Sequence, residues 1–163
     1  MNQITVTGMV LAQTSIGEYD RRVVILSKIA AFARGARRPN SALVGVTSPF
    51  SFGQFTVYEG RTSYTLVSAS ISNYFEELRT DVEGAYYGFY FMDLANYYAR
   101  EANDETLLLK LLYQTFRALV NTRIPNQLIR YIYELKVISI NGEGPQVFEC
   151  IGCGDREQEK VFS

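Results

Sequence analysis

Three arginines fall within five residues, Arg34, Arg37 and Arg38, beside a glycine and a proline in the stretch Ala33-Arg34-Gly35-Ala36-Arg37-Arg38-Pro39-Asn40. Each guanidinium is a planar fork of N–H donors that matches phosphate oxygens and stays charged at neutral pH. Such a cluster repels itself until an anion relieves it. A solvated strand end is the plain alternative, and the charge distribution weighs against it. Residues 1–65 carry seven Lys/Arg against three Asp/Glu, and residues 66–163 carry nine against fourteen. The overall charge of −1 therefore hides a basic half and an acidic half, a pattern that points the basic part toward nucleic acid. The cations of that half are Arg21, Arg22, Lys28, Arg34, Arg37, Arg38 and Arg61. Alternation along a strand keeps neighbours such as Arg21 and Arg22 from facing one groove together, so about half of the seven can touch a strand at once. Phe32, Tyr58 and Tyr64 are the rings placed to stack on bases, with burial in a core the equal alternative for each.

The two cysteines, Cys150 and Cys153, are spaced Cys-x-x-Cys with a glycine after the second. This is half of a four-cysteine zinc site, in which each pair wraps one side of a tetrahedral ion. A thioredoxin-like redox pair and a pair of plain thiols are the alternatives. The redox reading fits less well, because the pair follows a Gly142-Glu143-Gly144-Pro145 turn and not a strand. Two thiolates cannot close a structural site, so the remaining ligands are expected beyond Ser163. The chain has no histidine, which removes Ser-His-Asp and Cys-His catalysis and every histidine metal ligand at once. No Asp-x-Asp cluster or phosphate-cradling glycine loop appears, so no enzyme is expected. With no apolar run of the length a membrane helix needs and no basic signal region after Met1, the cytoplasm is the expected compartment.

At 163 residues and 47% hydrophobic, the chain can bury a core for one domain or two small ones. Up to about residue 72 the apolar period is two. Ile4 to Gln13 reads as a strand bent or bulged at Gly8, with Ile4, Val6 and Val10 on one parity and Met9 and Leu11 on the other. Arg21–Ser27, Ile29–Gly35, Phe52–Glu59 and Ser63–Ser70 supply four more strands, the last two joined by a Gly60-Arg61-Thr62 hairpin. After residue 72 the period lengthens to about 3.6. Thr80-Asp81-Val82-Glu83 reads as a capping box opening a helix to about Ala102, and further helices start at Asn103-Asp104-Glu105 and at Pro125. The aromatics Tyr86 to Tyr98 of the first helix are expected to be core packing and not a base-stacking surface. The predicted fold is α+β, an OB-type five-stranded β-barrel over residues 1–72 followed by a helical domain over 73–163.

With these elements in place, the chain resembles the bacterial recombination mediator family RecO over essentially its whole length. The residues that carry the resemblance are Val6-Thr7-Gly8-Met9-Val10-Leu11, Gly17-Glu18-Tyr19-Asp20-Arg21, the arginine cluster through Pro39, and Tyr58-Glu59-Gly60. Farther along come Tyr131-Ile132-Tyr133-Glu134-Leu135-Lys136 and the Cys150/Cys153 pair with Gly154. The resemblance implies an OB-fold that binds single- and double-stranded DNA, a helical domain, and a zinc-binding element toward the C-terminus. It also implies strand annealing, association with RecR, contact with the C-terminal tail of single-strand-binding protein, and help in placing RecA on gapped DNA. A pocket for that acidic tail would need a cation at its rim, and Arg117, Arg123, Arg130 and Lys136 are the helical candidates. In the rival reading the chain is a protein–protein adaptor, its helical half binding peptides and its arginines only salting the barrel surface.

Two departures from the family pattern stand out. Ser27-Lys28 runs straight into Ile29, where the family has a longer turn, so either a shortened hairpin or residues missing from that join are expected. The chain also stops at Val161-Phe162-Ser163, where the family continues into a second cysteine pair, so a truncated chain is expected.

Overall fold

A computed structural model describes residues 2–26, 29–99, 105–142 and 144. Lys28 and the Lys28–Ile29 join, together with Cys150 and Cys153, lie outside these residues. In chain order the elements are β1 (Asn2–Ile16), β2 (Asp20–Ile25), β3 (Ile29–Ala33), α1 (Leu43–Val46), β4 (Phe52–Glu59) and β5 (Tyr64–Asn73). A short 3-10 turn, Glu76–Arg79, then leads into α2 (Val82–Tyr98), α3 (Thr106–Val120) and α4 (Asn126–Ile140).

The strands close into a barrel in the order β1-β2-β3-β5-β4, with β1 pairing both β2 and β4. β3 and β5 are parallel and every other pair is antiparallel, the connectivity of an OB-type barrel. Closure leaves no free sheet edge. The barrel interior is filled by Val10, Val23, Ile25, Ile29, Ala31, Ala33, Phe55, Val57 and Leu66. A large side chain fully buried there contributes about 1.5–3 kcal/mol.

The mixed parity of β1 has a structural cause. Its Ile4, Val6 and Val10 face the barrel core, while Met9 and Leu11 face outward into a second core shared with the helices. The break in register lies between Val10 and Ala12, so the bulge sits later than Gly8. Gly8 is instead a point of close approach: a Cβ there would lie 2.5 Å from Ile25 Cγ2 and 2.9 Å from the Leu26 carbonyl oxygen.

The second core joins Met9, Leu11, Leu26 and Phe50 of the barrel to Phe75, Leu78, Phe91, Met92, Leu112, Phe116, Ile129, Tyr133 and Val137. α2 opens one residue later than the capping box predicts. Asp81 is the N-cap, its Oδ1 accepting from the Gly84 N–H at 3.0 Å. Thr80 cannot serve, because it closes the preceding 3-10 turn in a helical conformation and donates its hydroxyl to the Glu77 carbonyl.

The aromatic stripe of α2 also differs from expectation. Phe91 is buried and Tyr87 and Tyr98 pack against the core, but Tyr86 is 73% exposed, Tyr97 80%, and Phe89 and Tyr90 are exposed as well. The helix meets the core through small residues, Gly84, Gly88 and Ala95, beside Phe91 and Met92. At Gly88 a Cβ would sit 3.2–3.3 Å from the rings of Phe50 and Phe116, so these rings occupy the space that an α2 side chain would need. The remaining α2 aromatics are turned to the flanks.

Candidate nucleic-acid interface

The arginine cluster forms the loop that leaves β3, and that loop is fastened to the β1–β2 turn. Gly35, at φ +66°, donates its N–H to Asp20 Oδ1 at 2.7 Å, a backbone conformation that suits glycine. The Arg37 N–H donates to the Tyr19 carbonyl at 2.9 Å, and Arg37 Nη1 donates to the Gly17 carbonyl at 3.1 Å. Arg38 lies over the Tyr19 ring, 5.2 Å from its centroid. Two turns distant in sequence thus become one basic edge at the start of β2 and the end of β3. Arg34, Arg37 and Arg38 are all exposed there. Among the described residues the ion pair within 4.0 Å is Arg130–Glu134, on α4, so none of the barrel arginines makes a direct ion pair, and the Asp20 carboxylate is engaged by the Gly35 N–H.

Arg21 and Arg22 part company as strand alternation requires. Arg22 points out of the barrel and is exposed. Arg21 is half-buried, and its Nη1 donates to the Val44 carbonyl at 3.2 Å and to Thr47 Oγ1 at 2.8 Å. Thr47 is fully buried and donates its own hydroxyl to the Leu43 carbonyl at 2.7 Å, so Arg21 is the clasp of α1. Arg21→Ala is therefore expected to cost about 1–3 kcal/mol, the scale of lost hydrogen bonds from a charged donor. Arg22→Ala should shift stability by less than about 0.5 kcal/mol. Urea midpoints compare the two, and equal shifts would contradict this assignment.

Arg61 is exposed in the turn between β4 and β5. Because β5 runs parallel to β3, Arg61 precedes β5 at the end of the pair away from the loop that follows β3. The structure brings together Arg22, Arg34, Arg37 and Arg38, and it leaves Arg61 apart. Of the three rings singled out in the sequence, Phe32 and Tyr58 are exposed on the outer face of the barrel. Tyr64 pairs with the buried Ala31 and packs against the barrel core. Sequence reasoning passed over Tyr19, whose place in a turn gave no sign that Arg38 would lie on it.

On the helices, Arg117, Arg123 and Lys136 are exposed, and Arg130 borders an open depression of about 300 Å³ lined also by Tyr86, Tyr87 and Tyr90. Arg130 Nε donates to Glu134 Oε1 at 2.8 Å, and the Tyr90 hydroxyl donates to the same oxygen at 2.5 Å. The hydrogen bond from Arg130, then that from Tyr90, holds the Glu134 carboxyl below its ordinary range. Tyr90 is raised chiefly by that shared bond.

The family model described as recombination protein O N terminal matches residues 1–75, and that described as recombination protein O C terminal matches residues 79–163. The chain belongs to the recombination protein O family. It is 35% identical to the DNA repair protein RecO of Acetivibrio thermocellus, over 99% of this chain and 66% of that protein. Identity is 33% to the RecO of Alkaliphilus metalliredigens, over 93% and 63%, and 32% to that of Halalkalibacterium halodurans, over 96% and 63%. The chain thus spans just under two thirds of the length of the curated relatives it matches. Among the described residues, no helix is long and apolar enough to cross a membrane. No group of three or more His, Cys, Asp or Glu side chains converges there as metal ligands do.

Proposed function

We propose that this chain is the DNA-binding part of a cytoplasmic DNA repair and recombination mediator, and that it holds DNA mainly by its phosphates. The observation that carries the reading is the basic edge: Arg34, Arg37 and Arg38 fastened to the β1–β2 turn, with Arg22 beside them and no described carboxylate paired to any. On OB-type barrels the β2–β3 face and the β1–β2 and β4–β5 loops are where oligonucleotides bind. Phosphate contacts position a strand without reading its sequence, and neutralising repulsion between two strands is what annealing requires. Annealing, association with RecR and help in loading RecA are the finer parts of this proposal, supported by family membership.

Titration of a labelled single strand at several salt concentrations tests it. Log affinity should fall linearly with log salt, at about −0.7 per phosphate contacted and so about −2 to −3 for three or four arginines. Arg37→Ala with Arg38→Ala should weaken binding to all sequences alike and flatten the slope by roughly 0.7 for each phosphate no longer neutralised. A flat response of the unaltered protein would refute the reading.

A peptide site on the helical half is favoured by one observation, the tyrosine-lined depression at Arg130, which offers apolar walls and a cation to an acidic tail such as that of single-strand-binding protein. The adaptor reading would rest on that depression alone. Zinc held by Cys150 and Cys153 is proposed from their spacing, and no step above depends on it.

A further inference from the structure

One register row runs round the whole barrel. Gln3 pairs with Tyr58, Tyr58 with Thr65, Thr65 with Phe32, Phe32 with Arg22, and Arg22 with Thr14. Its members have the parity opposite to the buried Val23, Ala31, Val57 and Leu66, so they lie on the outer surface. Two of the six are large rings: Phe32 is 36% exposed and Tyr58 38%, and neither belongs to either hydrophobic core. Thr65, short and half-buried, lies between them. Two strand spacings separate the rings, about 10 Å at the backbone. At one end of the row is Arg22, and Arg34 is exposed in the turn that follows β3.

We propose that Phe32 and Tyr58 form a stacking platform for bases of a single DNA strand, with Arg22 and Arg34 taking the flanking phosphates. The inference rests on the DNA-binding reading above and adds a preference to it. Arginines alone serve single and double strands equally, since both present phosphates. Aromatic faces distinguish them, because a base offers its own face to a protein ring only when it is not stacked within a duplex. Charge complementarity points to the same occupant. At the Phe32 end the row meets guanidinium groups that make no direct ion pair with a described carboxylate, a setting that suits a polyanion and not an apolar protein surface.

The test uses the whole 163-residue chain, a labelled oligothymidylate and a labelled duplex of equal length. The double variant Phe32→Leu with Tyr58→Leu keeps apolar volume and removes the π faces. Its affinity for oligothymidylate is expected to fall about tenfold or more, the scale of losing one or two stacked bases. Duplex affinity should change by less than about twofold, and the salt slope for either should stay as it was, because every arginine that meets a phosphate is still present. Equal losses on both substrates would overturn the platform, as would no loss on either. So would a changed oligomeric state with unchanged affinity, which would make the row a contact between copies.

Tyr58→Trp supplies a second readout, since the chain has no tryptophan of its own. Its fluorescence should be quenched by oligothymidylate and much less by duplex, and an unquenched signal at saturation would overturn the proposal. Salt-dependent binding that survives both ring variants unchanged would sink the platform and leave the broader reading standing. Binding without any salt dependence would remove both.

Discussion

Replacing Gly53 with alanine is expected to cost about 3 kcal/mol or more, a large part of the stability of a domain this size. Gly53 and Gly8 are cross-strand partners in the β1–β4 ladder, and each lies where another strand crosses at close range. A Cβ on Gly53 would overlap the Ser70 carbonyl oxygen and lie 2.7 Å from Ile71 Cα. Both atoms are backbone, so no side chain can swing aside; β5 itself would have to move. β5 also carries Thr65, the bridge between Phe32 and Tyr58 in the outer row, so the damage would spread to the face proposed to meet DNA. Gly45→Ala is the control. Nothing lies within 4 Å of a Cβ there and the residue is helical, so this change should be neutral or slightly stabilising. Urea unfolding followed by far-ultraviolet circular dichroism measures both, and matching midpoints for the two variants would contradict this account of barrel closure.

The elements that sequence reveals well are those whose signal is local. β4 runs from Phe52 to Glu59, as the alternation around Phe55 and Val57 and the turn at Gly60 indicate. α3 and α4 follow from leucines and isoleucines at helical spacing. The short helix Leu43–Val46 had no such signal. Its N-cap position is held by Ala42, which has no capping group, and its clasp comes from Arg21, more than twenty residues earlier in the chain. The exposed tyrosines of α2 were hidden for a similar reason. Period alone cannot tell that Gly84 and Gly88 mark the buried face, because that depends on Leu78 packing at Gly84 and on rings arriving from Phe50 and Phe116 at Gly88.

The candidate site was legible in its residue types and not in its grouping. Arg21 and Arg22 read alike until the pairing of β2 sends one to Thr47 and the other to solvent. Phe32, Tyr58 and Tyr64 read alike until register sets Tyr64 beside Ala31 and puts the other two on either side of Thr65. Register across a parallel β3–β5 pair is a long-range property, fixed by closure of the barrel and by no stretch of sequence on its own.

Phe116→Ala is the second change expected to have a large effect, because Phe116 is the point at which barrel and helices lock together. Its ring is fully buried, 5.2 Å from that of Phe50 and 5.3 Å from that of Phe75. Phe50, at φ 74°, and Phe75, at φ 49°, are the non-glycine residues found in the left-handed region among those described. Bulky residues hold such a conformation only where surrounding contacts over-determine it, at about 1–3 kcal/mol each. Here the contacts are rings on Phe116, with Phe89 and Tyr113 at their sides. Truncation to alanine should cost about 3–5 kcal/mol through the lost burial and the cavity left behind. Phe116→Leu, which refills most of that volume, should cost distinctly less. Hydrogen exchange adds the diagnostic: amides around Phe50 and Phe75 should lose protection together with those of α2 and α3, since one ring supports all four segments. Salt-dependent DNA binding, measured at a temperature where the variant stays folded, should persist, because Phe116 touches none of Arg22, Arg34, Arg37 or Arg38. Protection lost in α3 alone would show that the barrel holds Phe50 and Phe75 in place without it.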